Sequence, residues 1–300
     1  MKNRLFKKSL LLASLLLCCC VDTAYPQRAE LTVATINIRV DTKKDSLNRW
    51  NGRKQRLFDF VSQQQLDVIG LQEVYPRAMR DVHKGLPGYA IVRHADCKSA
   101  STDCKSASTE KRADAPILYR KSAYKKIAQG TFWLSEFPDS AGLIGWDGRH
   151  PRFVNWAVLR SRRTGKEFCV ANTHLDNAGR QAREEGMKLL KERLAPLAAQ
   201  YPLVLLGDMN SSEADSAVYQ PALHNNFELH DTYHIAKQRE GVDYSFHGFG
   251  KRAMAGRKRV DIIFVSDSID VNTFNIQREE QRQGVYLSDH CPVVSNITIK

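Results

Sequence analysis

Short apolar runs that stop abruptly at polar residues are the main pattern along this chain. The clearest is the run at residues 203–206, LVLL, which ends at Gly207 and Asp208. An apolar run of this length that meets a turn signal is typical of a buried strand. Further β-branched or apolar runs predict strands at residues 31–38, 67–71, 89–93, 115–119, 125–133, 153–160, 167–171, 261–265 and 292–299.

Amphipathic segments lie between several of these strands. Apolar positions with the spacing of one helix face run through residues 50–64, and a longer segment of this kind covers residues 178–199. A shorter helix is predicted near residues 78–84. Strands that alternate with helices in this way indicate an α/β fold in which the helices pack against a sheet.

Two pairs of neighbouring strands are close enough in sequence to suggest hairpins. Residues 115–119 and 125–133 predict one antiparallel pair. Residues 153–160 and 167–171 predict another, with its turn at a Thr-Gly pair. No linker-like stretch separates the elements, so residues 31–300 are expected to form one domain.

The composition suits a globular protein with an anionic partner. The chain has 300 residues, 42% of them hydrophobic, and this is enough to bury a large core. Its formal net charge is +12, and the first twenty residues contribute four basic residues and no acidic one, so the remainder keeps +8. This excess favours nucleic acid, phospholipid headgroups or small phosphate esters without choosing among them. The one dense basic cluster is KRAMAGRKR at residues 251–259.

Residues 1–20 predict an export signal. They combine four basic residues with an apolar run at residues 10–17 and three cysteines at residues 18–20, and the run is too short to span a bilayer. The cysteines resemble a bacterial lipoprotein signal, which would attach the protein to a membrane through a lipid. Ala24 offers an alternative cleavage point for a soluble form. The expected localisation is therefore the periplasm or cell surface as a lipoprotein, or the secreted fraction.

A perfect duplication interrupts the pattern at residues 96–109, where DCKSAST occurs twice. Small polar residues cannot build a packed core, so we predict a disordered surface insertion there. Outside this repeat and the signal, Cys169 and Cys291 lie in apolar strand contexts, which predicts buried thiols outside any disulfide. The spacing of the cysteines does not match a zinc site.

Residues with acid, amide or imidazole side chains stand at the ends of the predicted strands. They are Asn37, Glu73, His174, Asp208, Asn210, Asp261, Asp289 and His290. The carboxyl ends of strands in α/β sheets face the ligand crevice, so these side chains are candidates for a common site. Hydrolysis of a phosphate ester needs a cation on the phosphoryl oxygens, an activated water and assistance to the leaving oxygen.

Each of these needs has a candidate group. Carboxylates are hard oxygen ligands that suit Mg²⁺, and Glu73 is the first choice for this role. Asp208 and Asn210 are placed to orient or deprotonate the attacking water. His174 and His290 are placed to donate to phosphoryl oxygens as charge develops.

Six motifs hold these residues, and together they resemble the endonuclease/exonuclease/phosphatase superfamily. The motifs are NIR, LQE, NTHLD, GDMN, RVDIIF and SDHCPV, and they follow the order of the family across residues 31–300. The resemblance implies the deoxyribonuclease I-like fold, a four-layer α/β sandwich of two mixed, mainly antiparallel sheets flanked by helices. It also implies that Asp261 pairs with His290, that Asp289 joins the metal shell and that Asn37 touches metal or phosphate.

The same resemblance implies three substrate-binding residues, Tyr119, Arg152 and Ser245, and a neighbouring histidine, His247. The chain also departs from the family at two positions. Asn177 stands where many relatives have a second histidine, and Ala113 stands where many have a glutamate. The acidic partner of His174 is therefore expected to be Asp114 or Glu110, and the sequence does not choose between them.

These observations predict a Mg²⁺-dependent hydrolase of phosphate esters, in which Mn²⁺ substitutes for Mg²⁺, acting as a monomer. A phosphodiesterase is the leading hypothesis, and a phosphomonoesterase acting on a sugar or inositol phosphate is the alternative. A non-catalytic surface binding lipoprotein is a third possibility from a different class. The substrate is left open among nucleic acid, a phospholipid headgroup and a sugar phosphate.

Overall fold

The chain forms two β-sheets in the computed structural model, which describes residues 28–94, 115–278 and 281–300. The predicted signal at residues 1–20 and the predicted insertion at 96–109 lie outside these ranges. The strands are β1 (Ala29–Asn37), β2 (Val68–Gln72), β3 (Tyr89–Val92), β4 (Ile117–Arg120), β5 (Tyr124–Trp133), β6 (Phe153–Ser161), β7 (Glu167–His174), β8 (Leu203–Asp208), β9 (His230–Asp231), β10 (Gln238–Gly241), β11 (Asp261–Val265), β12 (Ile269–Ile276) and β13 (Val293–Ile299). The α-helices are α1 (Trp50–Gln63), α2 (Pro76–Gly85), α3 (Arg180–Ala198), α4 (Ser216–His224) and α5 (Thr232–Ile235).

Both sheets are mixed and mainly antiparallel, as predicted. The seven-stranded sheet has the order β10-β12-β13-β1-β2-β4-β3, and the six-stranded sheet has the order β5-β6-β7-β8-β11-β9. Parallel pairing occurs between β1 and β2, between β7 and β8 and between β10 and β12, and the other neighbouring strands are antiparallel. The expected fold class is therefore confirmed.

One predicted strand pairing is wrong. Residues 115–119 and 125–133 were expected to pair with each other, yet β4 pairs with β2 and β3, and β5 pairs with β6 in the other sheet. The chain crosses between the sheets in the short turn after Arg120, whose N–H donates to the carbonyl of Asp67 at 2.9 Å. Closeness in sequence suggested a hairpin, but the two strands have different partners. The predicted β6–β7 hairpin is confirmed.

Three apolar clusters create the four layers. One fills the space between the sheets, one lies under α1 and α2, and one lies under α3 and α4. Strand β8 shows how the sequence produces this arrangement: Val204 and Leu206 face the other sheet, while Leu203 and Leu205 face the helices. Alternate side chains of a strand point to opposite faces, so a strand covered on both sides is apolar throughout.

A buried polar bridge fixes the distance between the sheets just behind the strand ends. Gln72 Nε2 donates to Asn172 Oδ1 at 2.7 Å, and Asn172 Nδ2 donates to the carbonyl of Leu71 at 2.9 Å. A Cβ atom on Gly70 would lie 2.6 Å from Asn172 Oδ1, so only glycine fits at that position. The bridge holds the ends of β2 and β7 in a fixed relation.

Two further expectations concern the cysteines and the membrane. Cys169 and Cys291 are buried, as predicted. Among the helices of the described residues, none is both long enough and apolar enough to cross a membrane.

Candidate active site

Strand register brings three of the candidate residues side by side. His174 at the end of β7 is paired in register with Asp208 at the end of the parallel strand β8. Asp208 is in turn opposite Asp261, the first residue of the antiparallel strand β11. In the other sheet, Asn37 ends β1 beside Gln72, so Glu73 follows at the same edge. The structure therefore gathers these residues at one end of the two sheets.

Asn37 links the two sheets through its side-chain amide. Its Nδ2 donates to Asp208 Oδ2 at 2.9 Å and to Glu73 Oε1 at 3.3 Å, and its Oδ1 accepts from the backbone N–H of Arg39 at 2.9 Å. Both ends of the amide are thus fixed, and the carboxylates of Glu73 and Asp208 are held on either side of it.

Glu73 and Asp289 are the two acidic groups on the seven-stranded side of the site. Glu73 is half-buried, its Oε2 accepts from the backbone N–H of Val40 at 2.7 Å, and its φ of 61° lies in the left-handed region. That conformation is unfavourable for a side chain with a Cβ and is often found at functional positions. Arg39 Nε lies 3.7 Å from Asp289 Oδ2. Burial raises the pKa of Asp289.

Asp208, Asn210 and His174 form a hydrogen-bonded group on the six-stranded side. Asp208 Oδ1 accepts from the backbone N–H of Asn210 at 2.8 Å. Asn210 Nδ2 donates to His174 Nε2 at 2.8 Å and to the carbonyl of Leu175 at 2.9 Å. Burial, followed by the charge of Arg152, lowers the pKa of His174 well below its usual range. The lowered pKa favours the neutral ring, and His174 Nε2 also lies 3.4 Å from Asp208 Oδ2.

His290 and Asp261 form the closest charged pair of the site. His290 Nδ1 and Asp261 Oδ2 are 2.7 Å apart, and both side chains are buried. Burial alone would lower the pKa of His290, but the charges and hydrogen bond of Asp261, with help from Asp208, raise it to about 10. The ring is thus an imidazolium whose Nε2 faces Asp208 Oδ2 at 3.9 Å. The resemblance implied this pairing, and the structure brings the two groups together.

Asp208 has the most perturbed carboxylate of the site. Burial, followed by the charge of Asp261, raises its pKa to about 7, although His290 opposes the shift. A carboxylate with a pKa near neutrality is matched to proton transfer with water or an alcohol at physiological pH.

The donors present fit a divalent metal ion. Glu73 and Asp289 offer carboxylate oxygens, the ligands that Mg²⁺ prefers. Asn37 presents its Nδ2 to Glu73 and its Oδ1 to the N–H of Arg39, so a ligand role for Asn37 requires its amide to rotate. The ligand atoms of Asp208, Asp261 and His290 lie within 4.8 Å of one another and form a second possible metal group with mixed oxygen and nitrogen donors. Asp261 Oδ1 is buried and has no hydrogen-bond partner among the described residues, so this oxygen can accept a cation or the O–H of a water.

Arg152 lies at the wall of the site and is held by Asp176. Its side chain is 13% exposed, and its Nε is 3.6 Å from Asp176 Oδ2. Burial lowers the pKa of Arg152, while the charges of Asp176, Asp208 and Glu73 oppose this shift. The guanidinium is therefore near both halves of the site. The contact between Arg152 and the substrate stays a prediction.

Asp176 anchors the loops around Arg152. Burial would raise its pKa, but hydrogen bonds to four backbone N–H groups lower it. The donors, at 2.8 to 3.0 Å, are Arg149, His150, Ala178 and Gly179. A carboxylate is the side chain that can satisfy four converging N–H groups, because it has two oxygens and no donor.

Asp176→Asn should lower the free energy of unfolding by about 2–4 kcal/mol, because the amide nitrogen would face buried N–H donors. The folded-state pKa of Asp176 is lowered, so its stabilisation is present above the unfolded pKa of about 3.9 and is lost as the pH falls through the folded value. The difference between the two proteins should therefore stay constant from about pH 7 to about pH 5 and shrink below about pH 4 in urea titrations.

The matched control for this prediction is Asp139→Asn. Asp139 is 78% exposed and pairs with Arg193 at the surface, so its replacement should change stability by less than about 0.5 kcal/mol. An Asp176→Asn protein as stable as this control at neutral pH would contradict the anchoring role.

Two predicted substrate contacts are not brought to the site. Tyr119 pairs with Val68 at the start of β2, whereas the site follows the end of β2. Because β4 is antiparallel to β2, only its first residues are near the site, and Tyr119 packs in the core between the sheets. Ser245 is fully buried, and its Oγ accepts from the backbone N–H groups of Val260 and Asp261, both at 2.9 Å. Ser245 thus supports Asp261 instead of facing a substrate.

The remaining sequence observations have mixed outcomes. His247 is buried next to Asp289, whose carbonyl accepts from the His247 backbone N–H at 3.0 Å. Asn177 is exposed. Ala113 and the two possible acidic partners of His174, Glu110 and Asp114, lie outside the described residues.

Sequence reasoning missed a buried arginine that fixes the loops of the site. Arg53 of α1 is fully buried, and burial lowers its pKa to about 10. Its guanidinium donates to the carbonyl of Asn48 at 2.7 Å and that of Leu287 at 3.3 Å, and also to Ile38. It therefore ties the segment after β1 to the segment before Asp289. The sequence signal was an arginine on the apolar face of a predicted helix.

The sequence of the chain matches a known protein family over most of its length. The model of the Endonuclease/Exonuclease/phosphatase family matches residues 34–290. No curated protein matches the chain.

Several solved structures have the same fold. An endonuclease/exonuclease/phosphatase from Bacteroides vulgatus is 35% identical, with a TM-score of 0.82 over 91% of this chain and 100% of that one. The mannosyl-6-phosphatase of Bacteroides thetaiotaomicron is 29% identical, with a TM-score of 0.78 over 89% of this chain and 99% of that one. D. rerio TDP2, solved with a single-strand DNA product, is 17% identical with a TM-score of 0.68 over 90% and 99% of the two chains, and shows only the shared fold.

These matches agree with the geometry of the strand ends. Carboxylates, an amide and two histidines from both sheets meet at one edge, and the sequence match covers the motifs that supply them. The chain therefore belongs to the endonuclease/exonuclease/phosphatase family and is a metal-dependent phosphoric ester hydrolase.

Proposed function

We propose that this enzyme hydrolyses a phosphate monoester of a small organic molecule, such as a sugar phosphate, with Mg²⁺ as its metal. The observation that carries the proposal is His290 Nε2 facing the Asp208 carboxylate at 3.9 Å, beside the carboxylate of Glu73, to which Asn37 Nδ2 donates. The preference for a monoester is supported by the 29% identity to a mannosyl-6-phosphatase over nearly the whole of both chains.

The charge distribution also supports a monoester. A monoester phosphate is largely a dianion at neutral pH, because its second pKa is about 6. Arg152 and the His290 imidazolium both interact with Asp208, and Arg39 lies next to Asp289. Cations on several sides of the site suit a phosphoryl group that exposes three charged oxygens.

Asp208 is the proposed general base for the attacking water. Its raised pKa makes it a better proton acceptor than an ordinary aspartate, and its Oδ1 is fixed by the N–H of Asn210. The Oδ1 of Asn210 is the proposed second contact that orients the water. Both residues follow the same strand, so their relative position is set by the turn after β8.

His290, held by Asp261, is the proposed electrostatic partner of the phosphoryl oxygens. Its Nδ1 is engaged by Asp261, and its Nε2–H points toward Asp208, where negative charge accumulates. His174, whose pKa is lowered by burial and by Arg152, is the proposed neutral contact to a phosphoryl oxygen, and its Nε2 faces Asp208 and Asn210. The two histidines therefore have different roles in the proposal.

Glu73, Asp289 and Asn37 are the proposed ligands of Mg²⁺, for which Mn²⁺ can substitute. A bound divalent ion would neutralise phosphoryl oxygens and assist the leaving oxygen. Asn37 also holds Asp208, so a cation near Asn37 is near the proposed base. Arg39 supplies positive charge beside Asp289, and Arg53 fixes the segment that carries Arg39.

A phosphodiesterase, the reading preferred from the sequence, is the second candidate. The exposed basic residues Lys251, Arg252 and Lys258 favour it, because a diester such as a nucleic acid has charge beyond the scissile phosphate. A non-catalytic binding role receives less support, since the buried carboxylates of the site have been kept together at a cost in desolvation.

A substrate panel separates these candidates. Purified enzyme with Mg²⁺ is assayed on aryl phosphate, bis-aryl phosphate, mannose 6-phosphate, plasmid, oligoribonucleotide, sphingomyelin and inositol phosphates. The monoester proposal requires kcat/KM for aryl phosphate to exceed that for bis-aryl phosphate by about tenfold or more. This factor corresponds to the free energy of one additional charge-assisted hydrogen bond. The opposite order, or cleavage of plasmid, would establish the diesterase instead. Asp208→Asn, prepared in parallel, should lose at least about 10²-fold and so exclude a contaminating phosphatase.

The cellular location of the enzyme is proposed from the first residues of the sequence. The basic and apolar pattern of residues 1–20 supports export, and the three cysteines support lipid attachment to a membrane or, with cleavage after Ala24, a secreted form. We expect the mature enzyme to act as a monomer on an anionic phosphate ester.

A further inference from the structure

The segment between β10 and β11 carries basic residues that the proposed mechanism does not use. Residues 244–260 contain five basic residues and no acidic one, namely Lys251, Arg252, Arg257, Lys258 and Arg259. Arg259 is buried and paired with Asp231 at 2.7 Å and Glu213 at 3.0 Å. By contrast, Lys251, Arg252 and Lys258 are exposed, and no ion pair joins them to an acidic residue of the described chain. We call residues 246–258 the basic loop.

The basic loop begins directly beside the catalytic histidine. The half-buried ring of Phe246 lies against the His290 ring, with 4.8 Å between the centroids and 39° between the planes. The guanidinium of Arg252 lies 4.6 Å from the centroid of the same Phe246 ring. One aromatic ring therefore separates the exposed positive charge of Arg252 from the imidazolium of the site.

The basic loop is fixed to the strands that carry the site. The Phe246 N–H donates to the carbonyl of Lys258, and the Gly248 N–H donates to the carbonyl of Asp289, both at 3.0 Å. Arg257 Nη1 donates to the Tyr244 hydroxyl at 2.6 Å, so Arg257 supports the loop. These contacts hold the exposed charges in place before a ligand arrives, which reduces the entropy lost on binding.

A tight left-handed turn presents the first two charges. Gly248, Phe249 and Gly250 have φ values of 61°, 55° and 75°. A Cβ atom on Gly250 would lie 2.2 Å from the Tyr286 hydroxyl, so glycine is required there. The turn leads directly into Lys251 and Arg252.

We propose that the basic loop is a subsite for a second phosphate group of the substrate, which makes the preferred substrate a small bisphosphate. The scissile phosphate lies at His290 and Asp208, the carbon skeleton passes the edge of the half-buried Phe246 ring, and the distal phosphate binds Arg252 and Lys251. The planar fork of an arginine suits bidentate contact with phosphate oxygens. This inference rests on the proposed monoesterase function and deepens it by naming the substrate class.

The first test compares fructose 1,6-bisphosphate with fructose 6-phosphate as substrates. The proposal requires a higher kcat/KM for the bisphosphate. Arg252→Ala should lower the ratio of the two kcat/KM values by about tenfold, mainly through the KM of the bisphosphate, because a charge-assisted contact is lost. Arg252→Lys should recover part of the ratio, since the charge is kept while the fork is lost. The matched control is Arg239→Ala, an exposed arginine that lies 4.9 Å from the ring of Tyr233 on the edge strand β10; its ratio should not change.

The second test measures binding without turnover. Calorimetry with fructose 1,6-bisphosphate on the metal-free protein should give a Kd about tenfold weaker for Arg252→Ala than for wild type and Arg239→Ala. Equal affinities, or an unchanged kcat/KM ratio, overturn the subsite. Failure of the wild type to hydrolyse either sugar phosphate overturns the proposed function, while binding still decides the subsite. Tighter binding of an oligonucleotide than of the bisphosphate assigns the loop to nucleic acid and overturns the small-molecule proposal.

Discussion

Chelation of divalent metal should abolish phosphate-ester hydrolysis by this protein, and Mg²⁺ or Mn²⁺ should restore it. The physical reason is that Glu73 and Asp289 offer carboxylate oxygens at the site, while no arrangement of described cysteines suits another metal. Glu73→Gln should raise the Mg²⁺ concentration for half-maximal activity by about 10- to 100-fold, the scale seen when the support of a metal site is weakened. Its fold should be retained, because the amide still has an acceptor for the N–H of Val40.

The measurement is activity against Mg²⁺ concentration, accompanied by calorimetric titration of Mg²⁺ into the metal-free protein. Glu240→Gln is the control, since Glu240 is exposed on the edge strand β10. The control should behave as wild type in both experiments. Full turnover in excess chelator would refute metal dependence, and wild-type Mg²⁺ affinity in Glu73→Gln would remove Glu73 from the ligand set.

His290→Ala should lower kcat by about 10²- to 10³-fold, the range associated with general acid–base or electrostatic assistance. Asp261→Asn should show a large part of the same loss, because the 2.7 Å contact to Asp261 keeps His290 charged. The double variant should lose little more than His290→Ala alone, since residues that act as one unit are not additive. Independent losses that multiply in the double variant would show that the pair is not coupled.

The pH profile of Asp261→Asn provides a second readout of the same pair. Asp261 raises the pKa of His290, so its removal should move that pKa back toward the usual value of about 6.5. Activity that needs the imidazolium should then be lost at a lower pH than in wild type. His224→Ala is the control, because its side chain is 58% exposed, and its profile should match wild type. An unchanged alkaline limb in Asp261→Asn would mean that His290 does not act as a cation.

The two sheets have separate parts in this arrangement. The seven-stranded sheet contributes the proposed metal ligands Glu73 and Asn37, and the six-stranded sheet contributes the proposed base Asp208 and its partner Asp261. The amide of Asn37 joins the two groups by its bond to Asp208. A change in the distance between the sheets would therefore separate the metal from the base. The buried contact between Gln72 and Asn172 opposes such a change.

The structure also explains which predicted residues fit the site. Asn37 and Asp208 follow apolar runs, and a buried strand that ends in a polar residue puts that residue at a sheet edge. Tyr119 was assigned by resemblance, but β4 is antiparallel to β2, so Tyr119 lies at the far end of the sheet. Ser245 is in the expected segment, yet its hydroxyl is used by the backbone of Val260 and Asp261.

Other residues could not be assigned from sequence, because their roles depend on backbone groups from distant segments. Arg53 donates hydrogen bonds to the carbonyls of Asn48 and Leu287, which are far apart in the chain. Asp176 lies in a recognisable motif, but its contacts with the N–H groups of Arg149 and His150 exist only after two loops meet. A side chain whose partners are backbone groups cannot be recognised from the sequence, because backbone groups do not depend on residue type. All residues have a backbone carbonyl, and all except proline have a backbone N–H.

The sequence by itself determined the alternation of strands and helices and the polar residues at strand ends, because hydrophobic period and polar termination are local properties of the chain. The four layers were implied by the resemblance of six motifs to the family. Only the tertiary structure decided that β4 and β5 belong to different sheets, that the surroundings of His290 raise its pKa while those of His174 lower it, and that the basic loop lies one ring from His290. Each of these depends on which groups surround a residue in space. Charge states in particular follow from burial and from neighbours such as Asp261, which lies 29 positions from His290 in the chain.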